Sequence, residues 1–311
     1  MIDVAPVRPA VLSPGDLVTL VAPSGAMQPE RAAAAEQVLT SWGLRVRLGA
    51  HALSRWTFLA GTDEERLADL NDAFRDPEVR GILCLRGGYG AQRIVDDLDF
   101  AAVRADPKLV LGFSDITALH VALWCEARLV TVHGATVGLL DRGAGTATAR
   151  SLRSALMTSA PTVLVADPTE DTFPVRSPGR AEGVLLGGNL AVLAATAGSR
   201  HKPDLTGAIL VLEDVNEVPY KLDRLLVQLQ RAGWLDGLAG VALGQFTGCG
   251  PAEHVQQVFA ERLLPLGVPV LGGLAVGHGT EQESFALGVP AVLDAGEGTL
   301  TVPPAGRRVT A

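Results

Sequence analysis

The sequence predicts an α/β fold built on a parallel sheet. Short, almost wholly apolar runs such as LVTLV, GILCL and LVLGF recur along the first half of the chain, as strands buried on both faces require. Between them lie stretches whose apolar residues recur at helical spacing. Strands alternating with helices build parallel sheets covered by helices.

The elements follow in order. LVTLVAPSG, from Leu17 to Gly25, reads as a buried strand ended by proline and glycine. PERAAAAEQVLTSWG places Ala35, Val38, Leu39 and Trp42 at helical spacing and stops at Gly43. LRVRL alternates as a strand. TDEERLADLNDAF opens with Thr62 and Glu65 in capping-box positions and offers Leu67, Leu70 and Phe74 as one apolar face. VRGILCL is a buried strand leading into the glycine-rich RGGYGAQR. KLVLGF is the next strand, followed by a helix that starts at Ser114 and lines up Ile116, Leu119 and Leu123. RLVTVHG closes this α/β domain, expected over residues 1–155.

Over residues 156–180 the pattern weakens among prolines and acids, which predicts a connecting segment. A second domain is expected over residues 181–311. GGNLAVLAATAG reads as a glycine-bounded helix and GAILVLEDV as a strand. YKLDRLLVQLQRAG sets Leu222, Leu225, Leu226 and Leu229 on one helix face and ends at Gly233. GVALGQF, VPVLGGLAVG, VPAVLDAG and GTLTVP are short strands.

Bulk composition narrows the function. The chain has 311 residues, 48% of them hydrophobic, enough for two cores. Its net charge is −8 with no basic patch, which argues against a nucleic-acid partner. Three widely spaced cysteines, Cys84, Cys125 and Cys249, form no CxxC pair, so neither a disulfide framework nor a zinc site is expected. No HExxH and no close histidine pair occurs, so no metal centre is expected. The N-terminus lacks a basic segment followed by an apolar stretch, and no run reaches the roughly 18 apolar residues of a membrane span. A cytoplasmic protein without membrane association is the expectation.

Ligands of open α/β sheets bind at the carboxyl ends of strands. Three features sit at such ends. Ser114 lies where an apolar strand turns into a helix, a position that serves both as an N-cap and as an exposed nucleophile flanked by helix-start N–H groups. RGGYGAQR, from Arg86 to Arg93, is either a tight turn or a loop whose backbone N–H groups face a ligand. Glu213 ends the strand AILVLE, and His278 stands between glycines in VGHGTEQESFALG. A serine is a weak nucleophile, needs a positioned base, and that base needs a third group to orient it.

Six blocks, AGTDEERLADLNDAF, LRGGYGAQRIVDDLDF, GFSDITALH, LLGGNLAVLAATAG, LEDVNEVPYKLDRLLVQL and AVGHGTEQESFALG, resemble the LD-carboxypeptidase family of serine peptidases. That family comprises muramoyltetrapeptide carboxypeptidases and microcin C immunity peptidases. The resemblance implies Ser114 as nucleophile, Glu213 and His278 as its partners, and the backbone amides of Gly88 and Asp115 as the oxyanion hole. It implies an N-terminal domain like class I glutamine amidotransferases, a smaller β-rich C-terminal domain, an active site between them, and a homodimer. No cofactor is implied. In one departure, Ala135 stands where the family commonly has the proline of His-Gly-Pro.

The activity so implied is release of terminal D-alanine from cytoplasmic murein tetrapeptide in cell-wall recycling. Arg86 and Tyr89 are candidate substrate contacts, with Arg86 or Arg93 meeting the terminal carboxylate. Cleavage of a peptide–nucleotide is the alternative within the family, and a non-catalytic binding module for small ligands is the alternative outside it.

Overall fold

The apolar runs of the N-terminal half do become strands in the computed structural model, which describes residues 5–307. β1 (Leu17–Val21), β2 (Arg45–Leu48), β3 (Val79–Cys84), β4 (Leu109–Gly112) and β5 (Thr131–His133) alternate with α1 (Pro29–Ser41), α2 (Asp63–Arg75), α3 (Phe100–Ala105) and α4 (Thr117–Ala127). α5 (Ala147–Met157) follows. The strands pair in parallel in the order β2-β1-β3-β4-β5. β1 and β4 are buried at every position, as strands covered on both faces must be.

Helix ends follow the sequence closely. Thr62 accepts from Glu65 N while the Glu65 carboxylate accepts from Thr62 N, a complete capping box. The buried face of α2 is less apolar than the spacing suggests. Leu70 and Phe74 are buried, Leu67 only partly, and Arg66 and Asp69 are buried beside them.

The second sheet is built from β6 (Thr162–Val165), β7 (Arg176–Ser177), β8 (Arg180–Asn189), β9 (Ile209–Val215), β10 (Gly240–Thr247), β11 (Val270–Leu271), β13 (Pro290–Asp294) and β14 (Thr299–Val302). Its order is β6-β14-β13-β8-β9-β10-β11-β7. β8, β9, β10 and β11 run parallel; β13, β14, β6 and β7 each pair antiparallel. α6 (Leu190–Thr196), α7 (Pro219–Arg231) and α8 (Ala252–Leu263) complete this part. α7 buries Leu222, Leu226 and Leu229.

Two expectations are corrected. The glycines of GGNL do not open a helix: Gly187 and Gly188 lie inside β8, and α6 starts only after Asn189, whose side chain caps it. The expected break over residues 156–180 is also redrawn. Residues 5–160 form one unit together with Ser284–Ala286 and residues 304–307, while Pro161–Glu283 and Leu287–Pro303 form the other. The proline-rich stretch supplies β6 and β7, the two edges of the second sheet, where strands with exposed side chains such as Val163 and Val165 are tolerated. The chain then returns, and β12 (Phe285–Leu287) adds an edge strand to the first sheet beside β5. Among the described residues no helix is long and apolar enough to cross a membrane.

Candidate functional site

In the first unit, β4 ends at Gly112, and Ser114 opens a 3₁₀ turn over Ser114–Ile116 that runs into α4. Ser114 has φ +64°. A side chain in this left-handed region costs on the order of 1–3 kcal/mol, and such strain collects at functional turns. Ser114 is not the helix cap that the sequence allowed. The cap positions are Phe113 and Ile116, and neither makes a side-chain capping bond. The half-buried hydroxyl is displayed on a strained turn between strand and helix, as in nucleophile elbows.

The RGGYG loop lies against this turn. A Cβ at Gly87 would fall 2.9 Å from Ser114 Cβ and 3.2 Å from Ser114 Oγ. Only glycine lets the loop approach so closely. Gly87→Ala therefore displaces the loop or the hydroxyl; an ångström of misplacement can cost about 10²-fold in rate. A loss of that order in kcat, with the thermal midpoint little changed, is expected. Full activity in Gly87→Ala would show that the close approach of this loop to Ser114 does not matter to turnover. Gly88 and Tyr89 are exposed, whereas Gly87 and Gly90 are buried. Arg93 is committed to Asp63, with contacts of 2.7–3.0 Å, while Arg86 is exposed and gives one N–H to the Ala26 carbonyl at 2.9 Å.

His120 and His133 stand behind the turn. His120 Nε2 is 2.9 Å from the Gly112 carbonyl, so this nitrogen carries the proton. Burial pushes the His120 pKa down to about 4. His133 is buried, stacks on Phe285 at 5.1 Å and meets Phe113 edge-on at 6.1 Å. Both histidines are core groups packed beside the Ser114 turn. The sign of the pH effect follows: below pH 6.5 the unfolded chain takes a proton on His120 that the folded chain refuses until about pH 4. Stability present above pH 6.5 is thus lost as the pH falls through that window, by on the order of 3 kcal/mol. Urea titrations at pH 7 and pH 4.5 are expected to show a smaller acid loss in His120→Gln than in the parent; equal losses would contradict this.

In the second unit, Glu213 lies within β9, two residues before its end, and is completely buried. Its Oε2 accepts from His278 Nδ1 at 2.8 Å. That bond places the imidazole proton on Nδ1 and leaves Nε2 as the basic nitrogen. Glu213 Oε1 has no hydrogen-bond partner among the described residues. A buried carboxylate so poorly compensated gains most when its one partner becomes a cation. The close fit again requires glycine: Gly277 has φ +129°, and a Cβ there would fall 2.9 Å from Glu213 Oε2.

Sequence reading missed what holds His278. The β9–β10 register shifts between Leu243 and Phe246, and in that irregularity Gln245 turns to the histidine loop. Its N–H donates to Val276 O at 2.7 Å and its Oε1 accepts from Gly279 N at 2.8 Å. Its Nε2 donates to Glu170 at 2.6 Å. Asp214, next along β9, accepts from Asn189 Nδ2, Ala191 N and Val215 N. Burial, with Glu213 adding to it, raises the Asp214 pKa to about 6. The only available signal for Gln245 was one polar residue in the apolar GVALGQF.

The chain is similar to known proteins along most of its length. The LD-carboxypeptidase N-terminal domain is matched over residues 18–134 and the LD-carboxypeptidase C-terminal domain over residues 182–293. A relative from Streptomyces coelicolor is 47% identical, covering 95% of this chain and 96% of its own. The murein tetrapeptide carboxypeptidase of Pseudomonas aeruginosa is 35% identical, over 89% of this chain and 92% of its own. The crystal structure of an MccF-like protein from Bacillus anthracis superposes with a TM-score of 0.88 at 25% identity, covering 96% of this chain and 99% of that one. Matched in both of its domains and over nearly its whole length, the chain belongs to the LD-carboxypeptidase family.

Proposed function

We propose that this chain is a serine carboxypeptidase that cleaves the bond between an L-configured centre and a terminal D-amino acid. The Glu213–His278 pair carries the reading: a sealed carboxylate 2.8 Å from Nδ1 is the arrangement that makes the other imidazole nitrogen a general base. The strained Ser114 turn supports it from the nucleophile's side. In the reaction, Ser114 Oγ attacks the carbonyl carbon and gives its proton to His278 Nε2. Glu213 offsets the charge of the imidazolium. The N–H groups of Gly88 and Asp115 receive the oxyanion, each worth about 2.7–4 kcal/mol of barrier. His278 then protonates the leaving amine, the acyl-enzyme forms, and water activated by the same histidine releases it. No step calls on a cofactor. Arg86 and Tyr89, exposed on the same loop as Gly88, are the proposed substrate contacts, with Arg86 on the terminal carboxylate.

Murein tetrapeptide, losing its terminal D-alanine, is the substrate we favour. The named activity of the Pseudomonas aeruginosa relative supports it. Cell-wall recycling in the cytoplasm by a homodimer is the accompanying setting, on the strength of the family resemblance. A peptide–nucleotide is the second substrate, on the strength of the same family resemblance. Mass spectrometry separates the two. Incubation with murein tetrapeptide is expected to remove the mass of one alanine with the parent protein and nothing with Ser114→Ala. Unchanged tetrapeptide together with hydrolysis of an aspartyl-adenylate analogue would favour the second substrate. No change in either would contradict a peptidase.

A further inference from the structure

We propose that Arg66 and Asp115 are positioning residues that grip one peptide bond of the RGGYG loop from its two ends and so fix the direction of the Gly88 N–H. This rests on the oxyanion role proposed above for Gly88. The peptide in question joins Gly90 to Ala91. Its carbonyl, Gly90 O, accepts from Arg66 Nη1 at 2.9 Å. Its N–H, on Ala91, donates to Asp115 Oδ2 at 2.9 Å. Both charged side chains are buried, Arg66 to 1% exposure and Asp115 to 3%. A peptide dipole with its oxygen toward a buried cation and its hydrogen toward a buried anion is held in one orientation, and turning it over would face both charges with the wrong pole.

The grip extends to either side. Arg66 also donates to Pro23 O and pairs with Asp63. Asp115 Oδ2 accepts a second bond, from the fully buried Ser24 hydroxyl at 2.5 Å. The next residue, Gly25, donates its N–H to Gly87 O at 3.1 Å. The exposed Gly88–Tyr89 pair is thereby pinned on both flanks, at Gly87 and at Gly90–Ala91. The loop needs this. Gly88 and Gly90 have φ of +117° and +132°, and glycines in such a conformation have no side chain to limit them. Asp115 is also the residue directly after Ser114. Its carboxylate therefore ties the donor loop to the nucleophile's own turn, and the two proposed oxyanion donors are set relative to each other through a single residue. Sealing two charges away from water is a weak device for stability, so a role in fixing geometry accounts better for finding both in this place.

The test uses Asp115→Asn, Arg66→Lys and Ser24→Ala. Asp115→Asn removes the anion with little change of shape, Arg66→Lys keeps the charge but loses the fork, and Ser24→Ala is the mild member should either of the others unfold. Steady-state release of D-alanine from murein tetrapeptide is expected to show kcat lowered about 10–10²-fold in the first two and less in Ser24→Ala, with KM within about twofold. A merely structural loss would instead lower the active fraction and the thermal midpoint together. Hydrogen exchange over residues 86–93 supplies a readout independent of turnover and is expected to quicken at least about tenfold in Asp115→Asn and Arg66→Lys. Unchanged exchange overturns the grip, whether or not the parent protein turns over. Quickened exchange with kcat equal to that of an active parent also overturns it, since the loop would then be free without consequence. A parent that neither releases alanine nor reacts at Ser114 counts against the catalytic reading instead, and exchange alone then decides the grip.

Discussion

Ser114→Ala is expected to lower turnover by about 10⁴-fold or more, the scale seen when a serine nucleophile is removed from a triad that works as a unit. The residual rate would come from the oxyanion donors and from binding, neither of which this change touches. KM is expected to move little, because the hydroxyl meets the carbonyl carbon only as the bond forms. The backbone adds a second, separable result. Alanine at φ +64° is as strained as serine, so Ser114→Ala gains no stability from its backbone. Glycine is at ease there. Relief of about 1–2 kcal/mol of left-handed strain, less about 0.5–1 kcal/mol for the freer unfolded chain, leaves Ser114→Gly more stable than the parent by roughly 0.5–1 kcal/mol. An inactive protein with a raised thermal midpoint would mark Ser114 as a position where stability is given up for geometry. A Ser114→Gly protein that is less stable than Ser114→Ala would contradict the strained turn.

Glu213→Gln has the second largest expected effect, a loss of about 10³–10⁴-fold in kcat. The reference is the comparable change in a serine protease triad, which costs about 10⁴ with the geometry intact. Here the carboxylate is completely buried and 2.8 Å from His278 Nδ1. Glutamine fits the same space. Its amide, however, brings no charge to offset the imidazolium, and its NH₂ presented to Nδ1 selects the tautomer with the proton on Nε2, which cannot accept from serine. Because an uncompensated buried charge is removed, stability is expected to hold or rise while activity falls. Kinetics and thermal unfolding on one preparation check both. A variant with near-parent kcat would mean that Glu213 does not orient the base.

Much of this was legible in the residues. Apolar runs marked the parallel strands because strands covered on both faces have no other composition open to them. Thr62 and Glu65 marked the start of α2 because a capping box is local. Helix faces were read well where the partner is a leucine-lined core, as in α7, and poorly where it is polar. Arg66 and Asp69 sit on the buried side of α2, and no periodicity rule places a guanidinium inside. Arg66 is there because backbone carbonyls of two distant loops converge on it, a fact of tertiary structure. Ser114 was found as a position, but its left-handed backbone was not, since serine has no preference that announces it. Gln245 went unseen because its role depends on an irregularity between β9 and β10. The return of Ser284–Ala286 to the first unit was hidden for the same reason: FAL follows the His278 loop directly, and nothing local says that it pairs, or in which sheet.

Covalent labelling tests the central claim most directly. A fluorophosphonate reacts with a serine only when a base draws off its proton and donors receive the developing oxyanion, so it reports the assembled machinery without any assumption about substrate. Intact-mass and peptide mass spectrometry of the parent protein are expected to show one adduct, on Ser114, formed at least about 10³-fold more slowly in a folded His278→Ala protein. An adduct at another residue, no adduct at all, or equal labelling of Ser114 without the histidine would contradict the account.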